Sequence, residues 1–315
     1  MKLLKIDNLQ KSFGSNKVLN GLSFDVEEGD LLGFIGQNGA GKTTTMKIIL
    51  GLLAQDGGTV RFNGQQVRYG NTATNKNIGY LPDVPAFYDY MRPLEYLRLC
   101  GEISHMEKAH LPSRCAELLE LVGLSDAKGK ISGFSRGMKQ RLGIAQALLS
   151  RPKLLLCDEP TSALDPAGRK EVLDILAQIT GNTTVLFSTH VLSDVERICN
   201  KAVLLHQGKT AFCGRLQDVK GRRRHDTILI RFEDSASAAE LVRLLKGLYA
   251  KGTDLLSCDP ASHATLADST VRIRTPNMAR AEANLFKLMA SRSLLPAKVE
   301  IEEPTLESVF LEVIG

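Results

Sequence analysis

The residues GQNGAGKT, at positions 36–43, decide the fold of this 315-residue chain. They match the pattern G-x-x-x-x-G-K-[ST]. The apolar residues 31–35 before them predict a buried strand, and the helical periodicity of residues 42–53 after them predicts a helix. A strand, a glycine-rich loop and a helix in this order form the phosphate-binding unit of a nucleotide-binding α/β core. The sequence therefore predicts a P-loop.

The composition of the loop follows from its chemistry. Backbone N–H groups converge on phosphate oxygens only where side chains leave room, and the helix N-terminus adds the positive end of its dipole. We expect Lys42 to neutralise the β- and γ-phosphates and Thr43 to bring its hydroxyl to Mg²⁺. The predicted ATP contacts in this loop are Gly36, Asn38, Gly39, Ala40, Gly41, Lys42, Thr43 and Thr44.

A second apolar stretch, residues 154–157, ends in two acids. Asp158 is expected to hold Mg²⁺ through its hydration shell, and Glu159 to polarise the water that attacks the γ-phosphate. Taken alone, acids after a strand are more often part of a solvated loop. The P-loop upstream favours the catalytic interpretation.

The pattern of the chain predicts two domains. Antiparallel strands in the first 25 residues, a helical subdomain at about residues 87–150, and further strands and helices form a predicted ATPase domain over residues 1–219. The run of like charges at residues 220–225 predicts a basic linker over residues 220–226. The later elements predicted within the ATPase domain are a helix at residues 168–179 and strands at 184–188 and 202–206.

The remaining residues, 227–315, predict a ferredoxin-like accessory domain, because strands and helices follow in the order βαββαβ. The predicted strands are residues 227–232, 254–258, 270–274 and 298–302. The predicted helices are residues 236–248 and 278–290, with a final helix from Thr305.

Composition excludes several classes of protein. With 43% apolar and 24% charged residues the chain is typical of folded soluble domains, and no stretch approaches the ~18 to 20 apolar residues that span a bilayer. The N-terminus lacks a signal peptide, so we expect a cytoplasmic chain. Six cysteines without a C-x-x-C pair argue against a disulfide framework and a zinc site. A net charge of +5, without a basic stripe interleaved with aromatics, argues against nucleic-acid binding.

Taken in order, these motifs resemble the nucleotide-binding subunit of ABC transporters over residues 1–219. Residues 134–141, FSRGMKQR, are similar to the signature motif of that family, and residues 162–165, SALD, to its D-loop. His190, after a predicted strand, matches the family's switch histidine.

The resemblance implies a role for several further residues. It implies that Ser135 and Gly137 contact the γ-phosphate held by an opposite subunit, that Asp165 links the two sites, that His190 senses the γ-phosphate, and that Phe13 stacks on adenine. The residues alone leave ordinary roles open: a helix N-cap for Ser135, a loop residue for His190 and a packed side chain for Phe13.

Two departures from the family pattern place the chain closer to one subfamily. Asp83 stands at the position of the Q-loop glutamine, where a carboxylate accepts hydrogen bonds from Mg²⁺-bound water but donates none. Asp83 is therefore predicted as a metal ligand beside Thr43 and Asp158. Arg136 and Met138 replace a glycine and a glutamine of the signature. These features, and the tail at residues 303–311, resemble the ABC-2 type exporters that include antibiotic-resistance and sodium-extrusion systems.

The resemblance implies an ATP-hydrolysing subunit that dimerises, with an identical or different ABC subunit, around two Mg-ATP. Such a subunit drives a separate transmembrane permease and binds the cytoplasmic side of the membrane peripherally through it. Two alternatives remain open. One is an ABC importer ATPase with a regulatory C-terminal domain. The other is a soluble ABC ATPase of ribosomes or chromosomes, which the single copy of the domain and the lack of sustained heptads between Lys42 and Ser135 disfavour.

Overall fold

The computed structural model describes residues 2–71, 73–218, 227–250, 255–256, 264–302 and 306. They form two compact units, the first containing the chain up to Leu216 and the second lying within Gln217–Val309. Several predictions fall outside the described residues: the basic linker at 220–226, the final helix from Thr305 and, apart from Leu306, the tail motif at 303–311.

The first unit combines a mostly parallel sheet with an antiparallel one. The parallel sheet has the strand order β10-β9-β3-β8-β7-β6, in which β10 alone runs antiparallel to its neighbour, and the antiparallel sheet has the order β2-β1-β4-β5. In chain order the strands are β1 (Lys2–Phe13), β2 (Asn16–Glu27), β3 (Leu31–Ile35), β4 (Gly57–Phe62), β5 (Gln65–Gln66), β6 (Ile78–Leu81), β7 (Leu154–Asp158), β8 (Thr184–Thr189), β9 (Lys201–His206) and β10 (Lys209–Arg215). The helices are α1 (Lys42–Ile49), α2 (Pro93–Ile103), α3 (Leu111–Leu121), α4 (Arg136–Leu148), α5 (Pro166–Ile179) and α6 (Leu192–Ile198).

The central strands of the parallel sheet are apolar throughout. Every residue of β3, β7 and β8 is buried, as expected where both faces of a parallel sheet are covered. The antiparallel sheet packs on the same core through Leu4, Ile6 and Leu9 of β1. The rings of Phe24 and Phe34 lie 5.3 Å apart between their centroids and join the two sheets. Both predicted sheet regions are confirmed.

Helix α1 is shorter than the predicted helix at residues 42–53 and ends at Ile49. Gly51 has a φ of +67°, its N–H donates to the carbonyl of Ile48, and the N–H of Leu52 donates to the carbonyl of Lys47. This is a Schellman termination, in which a left-handed glycine ends the helix. The apolar residues that follow the glycine continue the periodicity but not the helix.

Helices α2, α3 and α4 form the helical subdomain predicted at about residues 87–150. The guanidinium of Arg141 in α4 donates to the carbonyls of Val122 (2.8 Å) and Gly123 (3.2 Å) at the end of α3. Its Nε also lies 3.4 Å from a carboxylate oxygen of Glu171 in α5, which ties the subdomain to the core. Across the described ranges, no helix is both long enough and apolar enough to cross a bilayer.

The second unit is an antiparallel sheet with two helices. Its elements are β11 (Thr227–Arg231), α7 (Ser235–Ala250), β12 (Ala264–Ala267), β13 (Thr270–Arg274), α8 (Met278–Ser291) and β14 (Lys298–Glu302). The strand order is β12-β13-β11-β14, and alternate residues such as Ile228, Ile230, Val271 and Ile273 fill a core beneath the helices. This arrangement confirms the predicted ferredoxin-like fold.

One predicted strand of this unit, residues 254–258, is wrong. The described residues of that stretch, Leu255 and Leu256, form a bend, and the buried Leu256 accepts a hydrogen bond on its carbonyl from the hydroxyl of Thr275 (2.6 Å). The second strand is instead β12, which pairs with β13 across a two-residue turn in which Asp268 has a φ of +51°. Leu256 is apolar because it fills the core, and not because it belongs to the sheet.

Adding a methyl group at Gly79 is expected to separate the helical subdomain from the sheet. A Cβ on this residue of β6 would lie 2.3 Å from the carbonyl oxygen of Ala147 in α4, and backbone atoms cannot yield as a side chain can. We expect Gly79→Ala to lower the free energy of unfolding by about 2 kcal/mol or more in urea titrations. Gly181→Ala is the control, because a Cβ there meets no atom within 4 Å. Equal midpoints for the two variants would contradict this packing.

Candidate functional site

The glycine-rich loop after β3 has a backbone that favours glycine at two positions. Gly39 and Gly41 have φ values of +81° and +109°, and a Cβ on Gly41 would lie 2.7 Å from the side chain of Leu19. Helix α1 begins directly after Gly41. The first N–H groups of a helix have no partner within it, so this loop and helix start present free donors to an anion.

The ammonium group of Lys42 is buried and held by three oxygen atoms. Its Nζ donates to the carbonyls of Gly36 (2.7 Å) and Gln37 (3.2 Å) and lies 3.1 Å from Oε1 of Glu159. A buried cation is stable only where such partners replace water. The loop thus folds around its own lysine and holds the positive charge at the start of α1.

The two acids occupy a sharp turn at the end of β7. Asp158 is buried, and Glu159 has a left-handed backbone with a φ of +48°. The hydroxyl of Ser188, in the neighbouring β8, donates to Oδ1 of Asp158 (2.7 Å) and accepts the N–H of Glu159 (2.9 Å). Oε2 of Glu159 lies 3.0 Å from Nδ1 of His190. The carboxylate of Glu159 therefore lies between the ammonium of Lys42 and the imidazole.

An open cavity of about 470 Å³ lies at this edge of the sheet. Because β3, β7 and β8 are parallel, their carboxyl ends meet there, as is usual for ligand sites in such folds. The structure brings most of the predicted site residues together around it. The lining residues are Val18, Asn38, Gly39, Gly41, Lys42, Thr43, Thr44, Asp83, Asp158, Glu159, Ser162 and His190.

Two predicted loop contacts, Gly36 and Ala40, do not line the cavity. The carbonyl of Gly36 accepts a hydrogen bond from the ammonium of Lys42. The N–H of Ala40 donates to the carbonyl of Gln37 (3.1 Å). Phe13, also outside the lining, ends β1 with its ring half exposed, and Nζ of Lys11 lies 5.5 Å from the ring centroid.

Ser135, Gly137 and Asp165 do not line this cavity either. The hydroxyl of Ser135 caps α4 by accepting the N–H of Met138 (3.2 Å), and Gly137 lies in the first turn of that helix. Asp165 caps α5 by accepting the N–H of Gly168 (3.2 Å). Within one chain, Ser135 therefore has the N-cap role that its sequence left open, and Asp165 has the same capping geometry.

Asp83 links the cavity to helix α4. Its carboxylate lies 3.5 Å from the guanidinium of Arg136, so the two departures from the family pattern contact each other. Its carbonyl accepts a hydrogen bond (2.8 Å) from the buried side-chain amide of Gln140. Burial raises the pKa of the Asp83 carboxyl, Arg136 opposes the rise, and the charges of Asp158 and Glu159 add to it.

Three side chains at the cavity offer oxygen ligands that suit Mg²⁺, which prefers oxygen and retains several waters. They are the hydroxyl of Thr43 and the carboxylates of Asp83 and Asp158. The described residues contain no group of three or more His, Cys, Asp or Glu side chains that could hold a metal ion. A site of this kind fits an ion that arrives with phosphate oxygens and water as its other ligands.

Sequence reasoning missed several residues of the site. Ser188, Gln140 and the carbonyl of Gln37 hold functional residues, while Val18 and Ser162 line the cavity. Gln37 and Ser162 lie inside the P-loop and the D-loop motif, so their positions in the sequence could have predicted that they belong to the site. Ser188 had none, because its role depends on the pairing of Ser188 with Asp158 across β8 and β7.

Comparisons with known proteins show the family of the chain. The family model described as "ABC transporter" matches residues 19–162. The uncharacterized ABC transporter ATP-binding protein YxlF of Bacillus subtilis is 41% identical over 74% of this chain and 77% of its own length. The bacitracin transport ATP-binding protein BcrA of Bacillus licheniformis is 32% identical over 99% of this chain and 97% of its own length. A solved ATP-binding subunit of an ABC transporter superposes with a TM-score of 0.63 at 32% identity, covering 70% of this chain and 92% of that one.

The chain therefore belongs to the ABC transporter ATP-binding proteins, and the resemblance predicted from its motifs is confirmed. Its relatives include ATP-binding proteins of bacitracin transport and linearmycin resistance. It is an ATPase of that family, and its α/β unit is the family's nucleotide-binding fold. Domains of this family bind ATP.

Removing the lysine charge is expected to abolish tight ATP binding. Lys42→Ala removes the buried cation at the start of α1, so the triphosphate loses its charge partner. We expect the Kd for ATP to rise by about 100-fold, the equivalent of roughly 3 kcal/mol. Equilibrium binding of a fluorescent ATP analogue measures it. Lys47→Ala, an exposed lysine on the same helix, is the matched control and should bind normally. Unchanged binding in Lys42→Ala would contradict the role of the loop.

Proposed function

We propose that this chain is the ATP-hydrolysing subunit of an exporter and that two such subunits close head to tail around two Mg-ATP. One observation carries the proposal. The cavity contains the P-loop, both acids and His190, whereas the signature residues Ser135 and Gly137 lie away from it. A second subunit is needed to bring a signature helix N-terminus to the γ-phosphate, where its N–H groups and dipole bind an anion.

In this proposal each residue of the cavity has a separate task. Lys42 and the N–H groups of the loop bind the phosphates, Thr43 and Asp158 hold Mg²⁺, and Asp83 accepts hydrogen bonds from its water. Mg²⁺ supplies neutralisation of phosphate charge when it is bound. Glu159 acts as the general base towards the attacking water. Its contact with Lys42 gives way when the phosphates take over the lysine, while His190 keeps the carboxylate oriented.

Phosphate contacts explain how ATP would drive the movement. The γ-phosphate contributes contacts to both subunits only in the closed dimer, so ATP shifts the population towards closure and hydrolysis reverses it. Phe13 is placed at the edge of the β1–β2 hairpin, where its exposed ring suits stacking on a base. We assign Asp165, at the N-cap of α5, to the link between the two sites.

Export is favoured over the alternatives by two features. Asp83, Arg136 and Met138 follow the exporter subfamily, and the relative of bacitracin transport aligns over nearly the whole chain. An importer ATPase with a regulatory domain would require a solute-binding protein as a further partner. A soluble ATPase of ribosomes or chromosomes would require no permease.

We further propose the domain limits 1–219 and 227–315, joined by the basic linker at 220–226.

The permease is proposed to contact an aromatic cluster that precedes and includes the start of α2. The rings of Phe87 and Tyr96 lie 5.1 Å apart, those of Tyr88 and Tyr90 lie 6.1 Å apart, and Tyr90 is 70% exposed. Exposed tyrosines with a rigid base are typical of interface anchors. The subunit would thereby sit peripherally on the cytoplasmic side of the membrane and bind no nucleic acid.

Neutralising the proposed base is expected to stop turnover without preventing ATP binding. Glu159→Gln keeps the shape of the side chain but cannot accept a proton from water, so we expect kcat to fall by about 100-fold or more. Closed dimers should accumulate with ATP, as measured by size-exclusion chromatography with light scattering. Glu120→Gln, an exposed residue of α3, is the control. An unchanged rate of hydrolysis would refute the assignment of Glu159.

Capture from membranes tests the partner. A tagged chain, purified with detergent from membranes of its own host, is expected to bring down a permease of about six predicted spans. Because Tyr90 is exposed within the aromatic cluster, Tyr90→Ser should lower this recovery several-fold without changing hydrolysis by the isolated subunit. Tyr69→Ser, at a tyrosine 65% exposed on another part of the unit, is the matched control. Recovery with ribosomes or nucleoid alone would favour a soluble ATPase.

A further inference from the structure

Ser188 is a fully buried hydroxyl that no motif of this chain includes. It lies in β8 directly opposite Asp158, the last residue of β7, and none of its surface is exposed. Phe187 precedes it in β8 and Phe34 pairs with it on the β3 side, so a small apolar side chain would pack there equally well. The hydrogen bonds of Ser188 account for its presence.

Both hydrogen-bonding capacities of this hydroxyl are directed at the two acids. A hydroxyl has one hydrogen to donate and lone pairs to accept. The hydrogen goes to Oδ1 of Asp158 at 2.7 Å, and the oxygen accepts the N–H of Glu159 at 2.9 Å. One atom thereby fixes the carboxylate of the first acid and the backbone of the second.

The backbone of Glu159 needs such support. Its φ of +48° lies in the left-handed region, which a residue with a long side chain adopts only when its surroundings impose it. The carboxylate at the end of this side chain lies between Nζ of Lys42 and Nδ1 of His190, at 3.1 Å and 3.0 Å. A change of φ at Glu159 would swing the carboxylate out of that position.

We propose that Ser188 is a positioning residue for hydrolysis, which holds Asp158 in place for the metal and Glu159 in place for the attacking water. The proposal rests on the proposed function, because the roles of the two acids belong to it. Ser188 itself touches neither nucleotide nor water in this account. Without its hydroxyl, Asp158 loses a donor and the turn at Glu159 loses its anchor, while the P-loop keeps all of its own contacts.

The test compares Ser188→Ala with Thr184→Val. Thr184 lies at the other end of the same strand, and its buried hydroxyl accepts the N–H of Gly29 (3.0 Å) away from the site. Removing either hydroxyl costs the sheet one buried hydrogen-bonding group, so thermal melting calibrates the structural effect. Steady-state hydrolysis, the Mg²⁺ concentration for half-maximal rate, and ATP binding in EDTA then separate positioning from stability.

For Ser188→Ala we expect kcat to fall about 10- to 100-fold, the range typical of groups that hydrogen-bond to a metal ligand and thereby orient it. The half-maximal Mg²⁺ concentration should rise several-fold, whereas KM and the Kd for ATP in EDTA stay within about threefold. Thr184→Val should change kcat by less than about twofold at a comparable loss of melting temperature. Ser188→Thr, which retains the hydroxyl, should recover most of the rate.

The proposal is overturned if Ser188→Ala matches Thr184→Val in kcat and in Mg²⁺ dependence. Should Ser188→Ala not fold, Ser188→Cys replaces it, since a thiol is a weak donor, and wild-type kcat and Mg²⁺ dependence in that variant would equally overturn the role. Failure of the underlying function is distinguishable. If Glu159→Gln still hydrolyses ATP, the assignment of the acids is wrong, whereas an inactive Glu159→Gln beside a normal Ser188→Ala refutes the role of Ser188 alone.

Discussion

Parallel pairing of β3, β8 and β7 is the constraint on which the rest of the structure depends. Ile35 pairs with Thr189, and Ser188 pairs with Asp158, so the three strands end at the same level. The P-loop, the two acids and His190 each follow one of these ends. Burial of the apolar strands on both faces stabilises this alignment, because a shift in register would move apolar side chains out of the core. The site thus inherits its geometry from the hydrophobic core beneath it.

Polar groups at the cavity form a connected series. The carboxylate of Glu159 lies 3.1 Å from the ammonium of Lys42 and 3.0 Å from the imidazole of His190, and the carbonyls of the loop complete the shell of the lysine. In the proposed function, a triphosphate that enters this cavity competes with Glu159 for the lysine, so nucleotide binding and release of the proposed base are linked by electrostatics. Burial of the lysine makes the exchange effective, since a cation that loses one partner there requires another.

The site is also connected to the helical subdomain. Gln140 and Arg136, both on α4, contact the carbonyl and carboxylate of Asp83, which lines the cavity. Arg141 on the same helix contacts the end of α3 and Glu171 of α5. Helix α4 therefore carries the signature residues at its N-terminus and is held to the cavity through its side chains. A displacement of Asp83 would reach the signature through packed groups within one chain.

The sequence by itself determined the P-loop, the acid pair, the signature, the order of elements and the family, because phosphate binding and strand burial demand particular residues at local spacing. Local pattern did not determine where α1 ends, which stretch forms β12, or that Lys42 meets Glu159 and Ser188 meets Asp158. Only the tertiary structure decided these. The left-handed backbone of Gly51 ends the helix although the apolar periodicity continues, and Leu256 is apolar because it is buried in the core and not because it lies in a strand. Contacts between strands depend on register, and register is set by the packing of the whole sheet rather than by the residues that it brings together.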